Sequence, residues 1–68
     1  MNTAKNELAD CRLLMTAPEA ARMLAISPRL LWTLMNEGRI PHVRIGRAVR
    51  YDPNDLRAWV QQQKVLGN

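Results

Sequence analysis

Paired cysteines and long apolar runs are missing from this 68-residue chain, and each absence excludes a class of protein. Cys11 is its one cysteine, so no disulfide can form within it. No stretch approaches the roughly 20 apolar residues of a membrane span, and the first residues lack the apolar middle of a signal peptide. A second independent core would need roughly 50 residues of its own. We therefore expect one small domain in a reducing cytoplasm, without membrane contact.

Groups that could perform catalysis are also scarce. Beside Cys11 the chain has one histidine, one tyrosine and six acidic residues. Their spacing brings together no nucleophile and base, no carboxylate pair and no set of metal ligands. A glycine-rich phosphate loop is absent from the sequence as well. We expect a protein that is not an enzyme and needs neither cofactor nor metal.

What the chain does have is positive charge, most of it from arginine. Ten lysines and arginines stand against six acids, for a formal net charge of +4, and eight of the ten are arginine. The planar guanidinium suits bidentate contacts to phosphates and base edges. Net charge alone fits a soluble basic surface equally well, so the positions of the arginines must decide.

Three helix starts are marked by a capping residue followed closely by proline. Residues 16–19 have the pattern of a capping box, while Ser27 and Asp52 each stand directly before a proline suited to the first helical position. Gly38 provides a stop for the second helix. So few residues separate the first two helices that they must turn sharply on each other, as in a helix-turn-helix. The predicted helices span about residues 17–25, 28–37 and 53–63.

Each predicted helix carries apolar residues at the three and four residue spacing of a buried face. We expect the core to be formed by Ala17, Ala20, Ala21 and Leu24 of the first helix, by Leu30, Leu31, Leu34 and Met35 of the second, and by Leu56 and Trp59 of the third.

The opposite face of the second helix is chemically able to read DNA. Arginine can read guanine, asparagine can read adenine, and threonine can contact a phosphate or a thymine methyl. A solvated polar face is the plainer interpretation of the same pattern. Trp32 lies at the edge of this face, where we expect it to pack against the following hairpin. The candidate contacts are Ser27, Pro28, Arg29, Trp32, Thr33 and Asn36.

Residues 42–51 alternate between apolar and polar types, which predicts a β-hairpin around Gly46. A loop of Gly46 and Arg47 would mix apolar and charged side chains on one face. A three-residue loop that includes Ala48 gives one wholly apolar face, so we expect that register. It pairs Ile45 with Val49, Val43 with Tyr51, and Arg44 with Arg50.

In that register the hairpin has like charges opposite each other, which costs stability unless an anion offsets it. Such a hairpin suits the phosphate backbone or a narrow minor groove. His42 could add a further cation, although an exposed strand residue is the simpler interpretation. The candidate hairpin contacts are Arg39, His42, Arg44, Arg47 and Arg50.

Several segments in order match a known family. They are Leu14-Met15-Thr16-Ala17-Pro18-Glu19-Ala20-Ala21, Ile26-Ser27-Pro28-Arg29, Gly38-Arg39-Ile40-Pro41, Val43-Arg44-Ile45-Gly46-Arg47, Arg50-Tyr51 and Leu56-Arg57-Ala58-Trp59. With these segments the chain resembles the excisionase-family helix-turn-helix proteins, which have a MerR-like winged-helix fold. The resemblance covers about residues 13–60, and Arg29 stands at the matching position of the recognition helix.

The resemblance implies a mainly α-helical winged helix-turn-helix that binds double-stranded DNA, encoded by a bacterium or phage. Its second helix would enter the major groove, and its hairpin, the wing, would reach the minor groove or backbone. Proteins of this size resemble excisionases, which bind repeated sites, bend DNA and assist an integrase or recombinase; head-to-tail or cooperative self-association on DNA is a further expectation. Small transcriptional regulators of phage or island genes are the alternative, and the sequence does not separate the two.

A less favoured hypothesis is an adaptor that binds proteins through Trp32 and the apolar tail of Val65 and Leu66. The arginines of the hairpin argue against it. Across the chain we expect a flexible arm over residues 1–12, the DNA-binding domain over 13–64 and a tail over 65–68.

Overall fold

The computed structural model describes residues 13–66 and has the predicted architecture of three helices and one antiparallel hairpin. The elements in chain order are α1 Ala17–Leu24, α2 Pro28–Asn36, β1 Val43–Ile45, β2 Ala48–Arg50 and α3 Pro53–Gln63. This mainly helical order is that of a winged helix-turn-helix. The predicted arm over residues 1–12 and the last two residues of the predicted tail lie outside the described residues.

All three predicted helix starts are confirmed, with their caps. At α1 the Glu19 amide donates to Thr16 Oγ1 over 3.4 Å, and the Thr16 amide donates to Glu19 Oε1 over 2.9 Å. Ser27 Oγ accepts from the Leu30 amide at 3.0 Å, and Asp52 Oδ1 accepts from the Asn54 amide at 2.9 Å. Each cap satisfies an amide that the first helical turn leaves without a partner.

Helices α1 and α2 end in the same C-terminal capping motif. The residue with a left-handed backbone conformation in that motif differs between them. Ala25 (φ 57°) follows α1 and Gly38 (φ 70°) follows α2. At α1 the Ala25 amide donates to Arg22 O and the Ile26 amide to Ala21 O; at α2 the corresponding amides of Gly38 and Arg39 donate to Met35 O and Leu34 O. These are the paired bonds of a Schellman motif. α1 therefore ends on a strained alanine where α2 has a glycine.

Ala25→Gly is expected to stabilise the protein. The change relieves about 1–2 kcal/mol of left-handed strain in the folded state. It costs about 0.4–1 kcal/mol because glycine raises the conformational entropy of the unfolded chain. The free energy of unfolding should therefore rise by about 0.5–1 kcal/mol. Gly38→Ala is the matched reverse change, since a Cβ there meets nothing within 4 Å. Urea unfolding measures both free energies, and a lower midpoint for Ala25→Gly would contradict the assignment.

The core lies where the three helices and the end of the hairpin meet. Its buried side chains are Ala20, Ala21, Leu31, Ile40, Tyr51 and Leu56. The small alanines of α1 allow α2 to approach closely. Trp59 packs against this core from α3, and its Nε1–H donates to Arg39 O over 2.8 Å, which ties α3 to the segment after α2.

One predicted core residue was wrong. Leu30 is 46% exposed, whereas Leu31 is fully buried and Leu34 and Met35 pack against the core. Leu30 precedes Leu31 by one residue, about 100° of helix rotation, which carries it off the buried face.

The predicted hairpin register was also wrong. Val43 pairs with Arg50, Arg44 with Val49 and Ile45 with Ala48, around a two-residue loop of Gly46 and Arg47. Gly46 has φ 60°, and Ala25 is the one non-glycine residue of positive φ within residues 13–66. These φ signs are those of a type II′ turn, which takes glycine at its first central position. In this register Arg44 does not face Arg50, so the predicted like-charge pair is absent.

Tyr51 anchors the end of the hairpin to the chain before α1. Its backbone forms a two-way bridge with Met15, with N···O distances of 2.7 and 2.9 Å. The side chain is 1% exposed, and burial raises the pKa of the phenol above its ordinary value. The phenol is therefore neutral at physiological pH. Val49, two residues earlier, shares this inward face and packs against the core.

Candidate nucleic-acid interface

The outward arc of α2 presents most of the residues predicted to contact DNA. Ser27, Pro28, Arg29, Trp32 and Asn36 are exposed. The Arg29 guanidinium and the Asn36 amide have no hydrogen-bond or ion-pair partner within residues 13–66. These two side chains have their hydrogen-bonding groups available to an external ligand.

Thr33 lies on the same arc, but its hydroxyl already donates a hydrogen bond within the helix. It is half-buried, and its Oγ1–H donates to the Arg29 carbonyl over 3.1 Å. This bond to the carbonyl four residues back is a common position for a helical threonine hydroxyl. Thr33 therefore turns its methyl group, rather than a free hydroxyl donor, toward a ligand.

The arginines of the hairpin differ in exposure and in hydrogen bonding. Arg44 and Arg47 are exposed, and neither side chain pairs with another described residue. Arg50 is half-buried, with Nη1 donating to Val49 O over 2.9 Å, and within residues 13–66 it has no acidic partner. A half-buried cation without a counter-charge favours an anion from outside the domain.

A groove of about 510 Å³ joins α2 to the hairpin. Trp32 lines it from α2 and is 59% exposed, so the expectation that this ring packs closely against the hairpin was wrong. Arg47 and Arg50 line it from the hairpin, and the first turn of α1 closes one end. The groove lining is Ala17, Pro18, Pro28, Trp32, Met35, Arg47, Ala48, Val49, Arg50 and Tyr51. The fold thus unites four predicted contacts, Pro28, Trp32, Arg47 and Arg50, around one depression.

Arg39 and His42 do not line this groove. Arg39 forms an exposed ion pair with Glu37 at 3.4 Å, a kind of pair that contributes little in water. His42 is half-buried before β1 rather than exposed within it, and its Nδ1 lies 2.9 Å from Ile40 O. Because a carbonyl only accepts, this contact requires the proton on Nδ1.

Sequence reasoning missed two parts of this surface, one on α2 and one at the start of α1. Leu30 is exposed next to Arg29, although its spacing indicated a core position. Ala17 and Pro18, at the start of α1, line the groove although they were considered only as helix-forming residues. No sequence signal marked either, because both depend on how the elements pack together.

Within residues 13–66 the structure places no three His, Cys, Asp or Glu side chains where they could hold a metal ion. None of the helices described is long and apolar enough to cross a membrane.

One comparison with known proteins, against models of protein families, agrees with this geometry. Neither the curated proteins nor the solved structures yielded a match. A family model described as a helix-turn-helix domain matches residues 14–64 and thus covers all three helices and the hairpin. It represents a DNA-binding family that includes excisionase-like proteins and whose members are typically not enzymes. Since the match spans well over half of the 68 residues, the chain belongs to this family of helix-turn-helix domains.

Proposed function

We propose that this protein is an excisionase-like factor, a sequence-specific binder of double-stranded DNA that directs recombination in a phage or other mobile element. α2 lies in the major groove, and the hairpin serves as a wing on the adjacent minor groove or backbone, in a MerR-like arrangement. The observation that carries the proposal is the groove between Trp32 and the wing, bordered by two arginines that have no acidic partner among residues 13–66.

The groove matches the shape and charge of one DNA backbone strand. Its apolar wall around Trp32 suits a deoxyribose, while Arg47 and Arg50 suit the flanking phosphates. A strand seated there has α2 on one side and the wing on the other. These two elements then reach adjacent grooves of the duplex.

The exposed arc of α2 supplies the residues that read bases. Arg29 in the first turn reads guanine, and Asn36 in the last turn reads adenine. Ser27, Pro28 and Trp32 position the helix, and Thr33 turns its methyl toward the bases. Arg39 and Arg44 extend the cationic surface, and His42 contributes a further polar contact. A domain this small offers a limited interface, so tight binding needs several copies side by side or an integrase partner.

Titration of the full chain onto the DNA flanking its own gene and onto a random duplex, at two salt concentrations, tests the proposal. We expect tight, stepwise, salt-sensitive complexes on the flanking DNA, with gel mobilities that indicate bending. One unbent complex at a promoter would instead support a transcriptional regulator. No binding to either duplex at low salt would overturn the DNA-binding role and favour the protein adaptor.

Arg29→Ala is expected to reduce sequence preference more than general affinity. Loss of a bidentate base contact costs about 1–3 kcal/mol on the specific site, which is roughly 5- to 150-fold in affinity, with little change on random DNA. Competition anisotropy measures both. Arg22→Ala removes the same charge from an exposed position at the end of α1 and should leave the preference intact. Equal losses on both duplexes for Arg29→Ala would make it a backbone contact.

A further inference from the structure

A small apolar surface lies at one edge of the polar arc of α2. Leu30, in the first turn, is 46% exposed and does not belong to the core or to the residues packed against it. It also takes no part in the groove beside the wing. It stands two positions before Trp32, which places the two side chains about 160° apart around the helix axis. Leu30 therefore lies on the flank of the arc away from the wing.

Thr33 extends this surface by one methyl group. Residues three apart are neighbours on a helix, so the Thr33 side chain lies beside Leu30. Its hydroxyl proton is directed to the Arg29 carbonyl at 3.1 Å. Leucine and threonine together present methyl groups in the same turn of α2 as Arg29, whose guanidinium has no partner among the described residues.

The first turn is the part of a recognition helix that reaches base edges most directly. In the major groove, the apolar group that a base presents is the C5-methyl of thymine. The same methyl occurs on 5-methylcytosine. Leu30 and the Thr33 methyl match this group in polarity, and the neighbouring Arg29 matches a guanine beside it.

We propose that Leu30, with the methyl of Thr33, recognises the C5-methyl group of a pyrimidine in the major groove, and that Leu30 is a specificity-determining residue. This inference rests on the proposed function, since it requires α2 to lie in the major groove. It predicts that part of the sequence preference is a preference for one methyl group.

The test begins with duplexes selected from a random pool by the full chain. Each thymine is then replaced by deoxyuridine, which removes the methyl alone, and affinity is measured by anisotropy. We expect one or two positions where uracil weakens binding about fourfold, the equivalent of about 0.8 kcal/mol per methyl buried. Leu30→Ala should abolish that sensitivity, whereas Leu66→Ala, at a 95% exposed leucine in the tail, should keep it.

Two changes at Thr33 separate its methyl from its hydroxyl. Thr33→Val keeps a methyl surface and should keep the uracil sensitivity, while Thr33→Ser should reduce it. Replacing cytosines by 5-methylcytosine identifies the natural source. A fourfold gain there, with uracil neutral everywhere, assigns the methyl to 5-methylcytosine, and a loss on uracil assigns it to thymine.

Sequence-specific binding that ignores both uracil and 5-methylcytosine would overturn this inference and leave the proposed function standing. Uracil sensitivity of unchanged size in Leu30→Ala would overturn it too. Binding without any sequence preference would overturn the proposed function, and the inference with it.

Discussion

Leu31→Ala is expected to cost about 2–5 kcal/mol of folding free energy and to leave the domain only marginally stable. Leu31 is completely buried at the centre of α2, among the few side chains that form the core. At about 0.05–0.15 kcal/mol per residue, a domain of this size has a total stability of about 3–10 kcal/mol. One cavity therefore removes a large part of it.

Urea unfolding followed by circular dichroism measures this loss. Leu66→Ala is the matched control, because the same truncation at a 95% exposed leucine should change stability by less than about 0.5 kcal/mol. Leu30→Ala should resemble this control more than Leu31→Ala. An unchanged midpoint for Leu31→Ala would show that α2 packs in another orientation.

The second large effect is expected at the wing. Arg44→Ala combined with Arg47→Ala removes two exposed guanidinium groups that no described residue pairs with. Hydrogen bonds to charged groups contribute about 1.5–3 kcal/mol each, so affinity should fall roughly 100-fold or more at low salt on any duplex. The plot of log affinity against log salt should become shallower by about two, near 0.9 for each lost phosphate contact.

Arg57→Ala with Lys64→Ala is the matched control for net charge. Both residues are exposed, on α3 and at its C-terminal cap, and neither lines the groove beside the wing. This pair should leave the salt slope nearly unchanged. Equal effects of the two double variants would mean that charge acts at long range, without wing contacts. Arg50→Ala should reduce affinity as well, but part of its loss reflects the bond to Val49 O.

The helix starts were predictable because each is encoded within four residues. Thr16 and Glu19 satisfy each other's amides, Ser27 accepts from Leu30, and Asp52 accepts from Asn54. Such bonds depend on neighbours in the chain and hardly on the rest of the fold. For the same reason the stop at Gly38 was correct.

The hairpin register was not predictable from the alternation of apolar residues. That argument assumed that both strands turn an apolar face to the core, but only β2 does so, through Val49 and the following Tyr51. On β1, Ile45 stays 59% exposed. The position of Gly46 at the start of the loop was the better signal, because a type II′ turn needs glycine there.

Part of the candidate site was predictable from the sequence and part was not. Arg29, Asn36, Arg44 and Arg47 were predicted from residue type and spacing, and all four are exposed. The groove beside Trp32 and the exposure of Leu30 were not, since both depend on how elements distant in sequence pack together. The hydrogen bond from Arg50 Nη1 to Val49 O is local, but residue type and spacing did not predict it.

The sequence by itself determined the three helices, their caps, the hairpin and the cationic character of the surface, because local hydrogen bonds and apolar periodicity act over a few residues. Only the tertiary structure decided which hairpin face meets the core and which residues of α2 face outward. The bridge of Tyr51 to Met15 orients β2, and the packing of Leu31 orients α2. Both arise from contacts that form only when the whole domain folds.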